Sequence, residues 1–386
     1  MRKNSLNKLR LYAFFKMHSS NYLTPINLSF LWSIGSLLGF CMAMQISSGI
    51  FLSFFYNSDT ENAFNSVENL IMRNVRFGWF IRYLHVNVAS FIFLFLYIHI
   101  GKALYYRSYT RKKLWVSGIL IFIILMLTAF SGYVLVWGQM SLWAATVITN
   151  FFSSVPFIGN QLVEWIWGGF TVSKPTLSRF FSIHFLAGLS VGFLAIIHLL
   201  ILHEEGSSNP MGIKSKDNVN FSPLFLNKDL FWFFIFLFFL SYFVFFRPNA
   251  FMHPANYERA NSFITPKNIV PEWYFLPFYT ILKSIPNKDG GILAMGLSIV
   301  TFIFLPYIDK NTRIKNPKIR FIWKNLFWSF IFNFIFLGWL GEQPAEELYV
   351  NIGQVCTFYY FFFLWFMWPL IGRIETLVLL QKESQK

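Results

Sequence analysis

Long apolar runs without charged residues dominate the chain, and the charged residues collect in the links between them. Eight of these runs are long enough, or nearly long enough, to cross the ~30 Å hydrocarbon core of a bilayer as a helix. They are residues 31–55, 83–101, 114–137, 180–202, 230–246, 290–308, 325–341 and 348–372. The pattern predicts an all-α membrane protein with eight transmembrane helices.

The composition excludes a soluble enzyme of ordinary type. Hydrophobic residues make up 55% of the 386 residues, charged residues only 13%, and 51 positions are Phe. A surface built from such a chain could not be kept in water, so most of it must face lipid or other apolar side chains.

The net charge of +15 is explained by its distribution rather than by nucleic acid. With eight spans, both termini and the links 102–113, 203–229 and 309–324 lie on one side of the membrane. That side carries 22 of the 32 Lys and Arg. Excess basic charge marks the negative side, so both termini are predicted on the matrix or cytoplasmic face.

Two of the predicted spans carry two histidines each, and both pairs are 14 residues apart. They are His85 with His99 and His184 with His198. Fourteen residues are almost four helical turns, so each pair falls on one helix face about 21 Å apart along the axis. A single histidine in a span can simply bond a neighbouring helix, but four at matched intervals indicate a scaffold for two stacked metal macrocycles.

Two other predicted spans repeat the same interval with glycine. Each glycine alone is explained by close helix packing, but together they suggest clearance at the two macrocycle levels. Because neighbouring spans run in opposite directions, Gly35 and Gly118 are expected beside His99 and His198, and Gly49 and Gly132 beside His85 and His184.

Imidazole pairs of this kind favour haem iron. When protein fills both axial positions, no coordination site is open, and the chemistry is electron transfer rather than oxygen activation. Arg82, Arg179 and Lys102 stand near the span ends, where the anionic haem propionates would lie. Each of the three could equally be an ordinary cation reaching the headgroups.

The remaining segments predict a division into five parts. The Trp- and Phe-rich residues 138–174 are predicted to form short interfacial helices, and the Pro-rich link before residue 290 to cap a site. Residues 1–18 favour a basic surface helix over a transit peptide. Cys41 and Cys356 are predicted to pack in spans. The parts are 1–30 (surface helix and lead-in), 31–205 (four-helix haem module), 206–228 (link), 229–289 (fifth span and the Pro-rich loop with residues 271–274) and 290–386 (C-terminal three-span module).

The four histidines, the four glycines and three motifs together resemble cytochrome b of the mitochondrial and bacterial cytochrome bc1 complex. The motifs are Trp137-Gly-Gln-Met140, Glu164-Trp-Ile-Trp-Gly-Gly169 and Pro271-Glu-Trp-Tyr274, and the resemblance covers residues 20–375. It implies two non-covalent b-type haems. His85 and His184 would ligate the low-potential haem near the positive side, and His99 and His198 the high-potential haem near the negative side.

The resemblance also implies two pockets for quinone. In the quinol-oxidising pocket, Glu272 would accept a proton, and Tyr133, Trp143, Tyr274 and Tyr279 would line the cavity. In the quinone-reducing pocket, the implied residues are His203, Lys228, Asp229 and Ser33. From the residues alone, Glu272 could be a salt-bridged loop residue, and the second set ordinary cap and interface groups.

Three positions depart from the usual family pattern. Ala144 stands where Gly is usual after the Trp of the first interfacial helix, so the quinol pocket should be narrower and resistant to strobilurin-type inhibitors. Lys102 replaces a common Arg and keeps the charge without the bidentate fork. Ser33 replaces a common Asn, so a hydroxyl group stands where an amide would contact the quinone.

The resemblance implies an assembly, because the chain has no cysteine set for an iron–sulfur cluster and no c-type haem attachment motif. A Rieske iron–sulfur protein, cytochrome c1, further complex III subunits and a dimer of the complex are expected, with no activity from the isolated chain. The expected location is the mitochondrial inner membrane, or alternatively a bacterial plasma membrane. A b6-type subunit, a ferric reductase and a transporter are the weaker alternatives.

Overall fold

The computed structural model describes Lys16, residues 20–310, Thr312 and residues 314–384. The basic surface helix predicted near the N-terminus falls almost entirely outside these residues. Within the described part of the chain, eight helical stretches are long and apolar enough to cross a membrane. The predicted number of spans is therefore confirmed.

Twelve helices make up most of the fold. They are α1 (Ile34–Ser53), α2 (Gly78–Tyr105), α3 (Lys112–Leu135), α4 (Gln139–Thr149), α5 (Gly159–Trp167), α6 (Lys174–Glu205), α7 (Leu224–Phe246), α8 (Leu276–Ser284), α9 (Lys288–Ile308), α10 (Phe321–Glu342), α11 (Glu347–Phe362) and α12 (Trp368–Ser384). A π-helical turn, Phe363–Met367, joins α11 to α12 into one long final span.

Several spans extend beyond the uncharged runs that predict them. Helix α2 begins at Gly78 and includes Arg82, and helix α6 begins at Lys174. The start of α6 is fixed locally, because Ser173 and Thr176 form a capping box and Pro175 occupies the first turn. Charge therefore marks the ends of the apolar runs but not the ends of the helices.

The four spans predicted to hold haem, α1, α2, α3 and α6, are called the haem bundle here and form two closely packed pairs. Helix α1 packs along α2, and α3 packs along α6. A small antiparallel ladder at one end pairs β1 (Leu23–Pro25) with β2 (Asn218–Asn220), which ties the lead-in of α1 to the link before α7.

The short helices α4 and α5 occupy the segment for which the sequence predicts short helices. Most side chains of α4 are buried. Gly138, which directly precedes α4, lies very close to the loop after α7. A Cβ atom built at Gly138 would be 2.3 Å from the backbone oxygen of Asn256. Gly138 also bridges to Arg259, so the two long links pack on each other at this end of the protein.

The C-terminal module, defined here as α9 to α12, is held by aromatic packing and buried ion pairs. Its core includes Trp323, Tyr360 and Trp368, each at most 1% exposed. Arg320 pairs with Glu375 at 2.6 Å, and both side chains are buried. A second buried pair, Arg107 with Asp309 at 2.7 Å, connects the link after α2 to the end of α9.

Candidate functional site

Two histidines from the two parallel helices of the haem bundle face each other. The imidazole centroids of His85 on α2 and His184 on α6 are 6.2 Å apart, with the rings inclined by 73°. Two metal–imidazole bonds of about 2 Å, plus the half-widths of two rings, add up to about 6 Å. The spacing therefore fits a metal ion that both rings would hold.

The outer nitrogens of these rings are oriented by hydrogen bonds. Nδ1 of His85 lies 2.9 Å from Oγ of Ser48, and Nδ1 of His184 lies 2.8 Å from the backbone oxygen of Thr128. With Nδ1 protonated and bonded outward, Nε2 is left as the metal-binding atom. The donor chemistry on this level fits b-type haem.

His99 and His198 occupy a second level, toward the C-terminal ends of the same two helices. Nδ1 of His198 lies 2.7 Å from Oγ of Ser117. Nδ1 of His99 is buried, and no atom of the described residues hydrogen-bonds to it. The two levels therefore differ in how their imidazoles are held.

The four glycines each lie against one of the histidines. A Cβ atom built at Gly132 would be 2.4 Å from Cε1 of His184. At Gly49 and Gly118 the corresponding distances, to His85 and His198, are both 3.2 Å, and at Gly35 the distance to His99 is 3.5 Å. The glycines thus leave room for the imidazoles at the two expected levels.

A cavity of about 250 Å³ runs from the His85 and His184 level to the loop before α8. Arg82, Tyr133, Glu272 and Tyr274 line it together with the histidines. Glu68, which the sequence analysis did not select, also lines this cavity. Its signal in the sequence was weak, because it lies in a polar link outside every motif.

Glu272 is one of the two acidic residues named above that line this cavity, and its pKa bears on proton transfer. Burial raises the pKa of its carboxyl group to about 7, while the nearby Tyr133 hydroxyl and Arg82 oppose the rise. The Tyr133 hydroxyl makes no hydrogen bond of ordinary length within the described residues. A carboxyl group with a pKa near neutrality can exchange protons at physiological pH.

Two of the predicted quinol-site residues do not line this cavity. The indole of Trp143 donates to the backbone oxygen of Ile264 at 3.1 Å, and the hydroxyl of Tyr279 donates to that of Ile269 at 3.2 Å. Both side chains thus bind the segment before Glu272. In this structure they hold the loop that carries Glu272.

The three basic residues predicted to meet the haem propionates lie in different surroundings. Arg82 lines the cavity, but Arg179 does not, because its guanidinium donates to the backbone oxygens of Trp165 and Ile166 at the end of α5. Lys102 lies over the ring of Trp32, with its amine 4.7 Å from the ring centroid. Of the three predicted cations, Arg82 is therefore the one that lines the cavity beside His85 and His184, while Lys102 lies near His99 on the second level.

The residues of the predicted quinone-reducing pocket lie near one end of the haem bundle. Asp229 at the start of α7 accepts a hydrogen bond from Ser36, one turn after the buried Ser33. Lys228 donates to the backbone oxygen of Leu28 at 2.6 Å. Sequence reasoning missed Ser36, although its spacing of three from Ser33 could have found it.

His203 and a further aromatic residue define the other part of this end. The rings of His203 and Tyr22 stack with centroids 4.1 Å apart, and the Tyr22 hydroxyl donates to the backbone oxygen of Leu202. Burial raises the pKa of Tyr22, an effect partly offset by Arg111. Tyr22 lies outside every apolar run, which is why the sequence analysis passed over it.

This geometry defines a class: a helical membrane protein whose two parallel spans carry histidines at two levels. Residues 19–206 match the family described as cytochrome b/b6/petB, and residues 259–361 match cytochrome b (C-terminal)/b6/petD. The chain belongs to the cytochrome b family. This family binds b-type haem.

Individual relatives agree with this assignment along the whole chain. Cytochrome b of Chondrus crispus is 48% identical over 365 residues, which are 94% of this chain and 95% of that one. Cytochrome b of Candida parapsilosis is 50% identical over 357 residues, 92% of each chain. A solved chain from a hyperthermophilic respiratory complex III, 31% identical, superposes with a TM-score of 0.88 and covers 97% of this chain and 99% of that one.

Proposed function

We propose that this chain is the central redox subunit of a quinol–cytochrome c oxidoreductase, respiratory complex III. The 6.2 Å spacing of the His85 and His184 rings, in a chain that matches cytochrome b over 94% of its length, is the observation that carries the proposal. The solved relative is itself from a respiratory complex III. A b6-type subunit is not favoured, because both parts of cytochrome b are fused here.

Two b-type haems would be held by the four histidines. His85 and His184 would ligate one at the cavity level, and His99 and His198 the other. When bound, the haems supply one-electron transfer between two quinone pockets. Three of the imidazoles have Nδ1 hydrogen-bonded outward, which would leave Nε2 as the ligating atom.

Quinol oxidation would take place in the cavity beside Glu272. Quinol must lose protons as it loses electrons, and a carboxyl group with a pKa of about 7 is a suitable acceptor for one of them. Arg82 in the same cavity supplies positive charge beside the histidine level. Tyr133 and Tyr274 complete the polar lining, while Trp143 and Tyr279 hold the loop.

Quinone reduction would take place at the opposite end, beside Asp229, Lys228, Ser33 and His203. Reduced quinone takes up protons, which Asp229 and His203 would relay from the adjacent solution. Proton release at one face and uptake at the other would couple electron transfer to a proton gradient.

The basic links and both termini would lie on the negative side of the mitochondrial inner membrane, or of a bacterial plasma membrane. A Rieske iron–sulfur protein and cytochrome c1 would supply the two redox centres for which this chain has no ligand set. Other complex III subunits and a dimer of the complex complete the proposed assembly, and the isolated chain would be inactive.

A redox titration of the purified complex in visible light tests this proposal. We expect two b-type components in reduced-minus-oxidised spectra, with one of them lost in a His85→Ala variant. A matched control is His253→Asn, which lies outside the bundle and can still cap its turn by accepting from the backbone nitrogen of Ala255. Absence of b-type bands in the unchanged complex would refute the proposal.

A further inference from the structure

We infer that Ser48 and Ser117 are positioning residues that set the reduction potentials of the two haems, one each. Each would act through a single imidazole, Ser48 through His85 and Ser117 through His198. This inference rests on the haem ligation proposed above. It concerns the hydroxyl groups, which the sequence analysis did not single out.

The geometry at Ser48 fixes the direction of its hydrogen bonds. Its Oγ lies 2.6 Å from the backbone oxygen of Met44 and 2.9 Å from Nδ1 of His85. A hydroxyl has one proton, and the short bond to the Met44 carbonyl uses it. The Ser48 oxygen must then accept the Nδ1 proton of His85.

Ser117 repeats this arrangement on the other level. Its Oγ donates to the backbone oxygen of Leu114 at 2.9 Å and lies 2.7 Å from Nδ1 of His198. Both serines directly precede a glycine, Gly49 or Gly118, that lies against the same imidazole. The Ser-Gly pair therefore supplies both an acceptor and the room for the ring.

The other two histidines show that this acceptor is not a general consequence of the fold. His184 bonds to the backbone oxygen of Thr128, and the hydroxyl of Ser131 before Gly132 donates only to backbone oxygens. At the fourth position Ile34 precedes Gly35, and within the described residues Nδ1 of His99 has no hydrogen-bond partner. Each haem level would thus have one imidazole that is hydrogen-bonded to a serine hydroxyl and one that is not.

An acceptor at Nδ1 makes an imidazole a more basic ligand. A more basic ligand stabilises the oxidised iron relative to the reduced iron, so it lowers the reduction potential. Removing the hydroxyl takes this acceptor away from the Nδ1 proton and weakens the effect, although at His85 the backbone of Gln45 remains as a second partner. Loss of either serine hydroxyl should therefore raise the potential of one haem and leave the other unchanged.

The test is a redox titration of both b components in the intact complex carrying Ser48→Ala or Ser117→Ala. We expect the equilibrium constant for reduction of one component to rise up to about tenfold, or about 59 mV for one electron. The two variants should shift different components. Ser48→Thr and Ser117→Thr keep the hydroxyl and should restore the original values.

Ser47→Ala is the matched control for Ser48→Ala. Its hydroxyl makes the same type of bond, to the backbone oxygen of Ala43 at 2.8 Å, but the side chain is exposed. We expect both components to keep their potentials in this variant.

The reverse change is also expected to have an effect. Ile34→Ser places a hydroxyl before Gly35 and should lower the potential of the component bound by His99.

The possible failures can be told apart. If the unchanged complex lacks two b components, the proposed haem ligation is wrong. If both components are present at normal ratio but neither Ser48→Ala nor Ser117→Ala moves a potential more than Ser47→Ala does, the serine inference is wrong. Equal shifts of both components by one variant would also overturn it, because each hydroxyl bonds to one imidazole only.

Discussion

The haem bundle and the C-terminal module are both made of apolar helices, yet they are held together in different ways. In the most apolar stretch of α6, 11% of residues are buried inside the protein, against 44% in the final span. The bundle places imidazoles, glycines and a cavity at its centre. The module instead fills its centre with large aromatic side chains and closes its end with a buried ion pair.

This difference indicates what each region tolerates. In the bundle, the critical quantity is the position of a few imidazole rings, and a single added methyl group can disturb it. In the module, packing is spread over many side chains, so the sensitive points are the buried charges. Substitutions should therefore damage the bundle through cofactor binding and the module through stability.

The largest effect is expected where a glycine approaches a histidine most closely. Gly132→Ala would place its methyl carbon 2.4 Å from Cε1 of His184 and force the imidazole to move, whereas the contact at Gly35 is 3.5 Å. We expect Gly132→Ala to lose one b component and Gly35→Ala to retain both. Visible spectra of the two purified complexes check this. Equal haem content in both would show that the glycine contacts do not hold the imidazoles.

The C-terminal module should instead respond to loss of its buried pair. Glu375→Gln leaves the Arg320 guanidinium buried without its counter-charge, which should cost about 3–5 kcal/mol. Glu61→Gln is the control, because its pair with Arg259 is exposed and should contribute only about 0–1 kcal/mol. Thermal unfolding of the complex measures both. A shift of a b potential by Glu375→Gln would contradict the separation of the two regions.

Ala144 does not line the cavity of about 250 Å³, so this prediction tests whether inhibitor binding at the proposed quinol site extends to α4. Its methyl group is buried in α4 and should keep the unchanged complex resistant to strobilurin-type inhibitors. One methyl group in an apolar pocket is worth about 1–3 kcal/mol, so Ala144→Gly should bind such an inhibitor at least about tenfold more tightly. Inhibition curves of quinol oxidation give the comparison.

Ala145→Gly is the matched control for this prediction. It removes a methyl group from the next buried position of the same helix, and it carries the same loss of helix propensity. Inhibitor affinity should stay unchanged in that variant. Nanomolar inhibition of the unchanged complex would disprove the prediction outright.

The smallest effect is expected in the pH dependence of quinol oxidation. Glu272 accepts a proton only as a carboxylate, and its pKa is about 7. The rate should therefore be constant above pH 7 and fall as the pH drops below it, by at most about tenfold per unit. Glu272→Gln should be slower and lack this step, while Glu258→Gln on the same loop should keep it. An unchanged profile in Glu272→Gln would exclude the carboxyl group as the acceptor.

The spans and the two histidine levels could be predicted because both depend on a period along one helix. Fourteen residues are nearly four turns whatever surrounds them, so His85 and His184 could be placed before any contact was known. The ends of the spans were less predictable. Arg82 ends an uncharged run, but α2 continues past it to Gly78, because a guanidinium group inside a cavity does not interrupt a helix.

Contacts between segments could not be predicted in this way. The family resemblance groups Trp143 and Tyr279 with Glu272 as pocket lining, but they bind backbone oxygens of its loop, and that depends on how residues 261–272 fold. Arg179 likewise binds the end of α5, which the sequence did not place beside it. The serine hydroxyls were missed because Ser-Gly pairs are common in membrane helices, and the sequence does not show which of them lie beside an imidazole.

The spacing of the histidines along α2 and α6 also has an electrical consequence. Levels about 21 Å apart span roughly two thirds of a ~30 Å hydrocarbon layer. Moving one elementary charge across the whole layer costs about 2.3 kcal/mol per 100 mV, so an electron passing from the first level to the second would work against about 1.5 kcal/mol for every 100 mV. A large membrane potential would thus slow electron transfer between the two levels. The spacing of four helical turns sets how strongly the potential opposes this step.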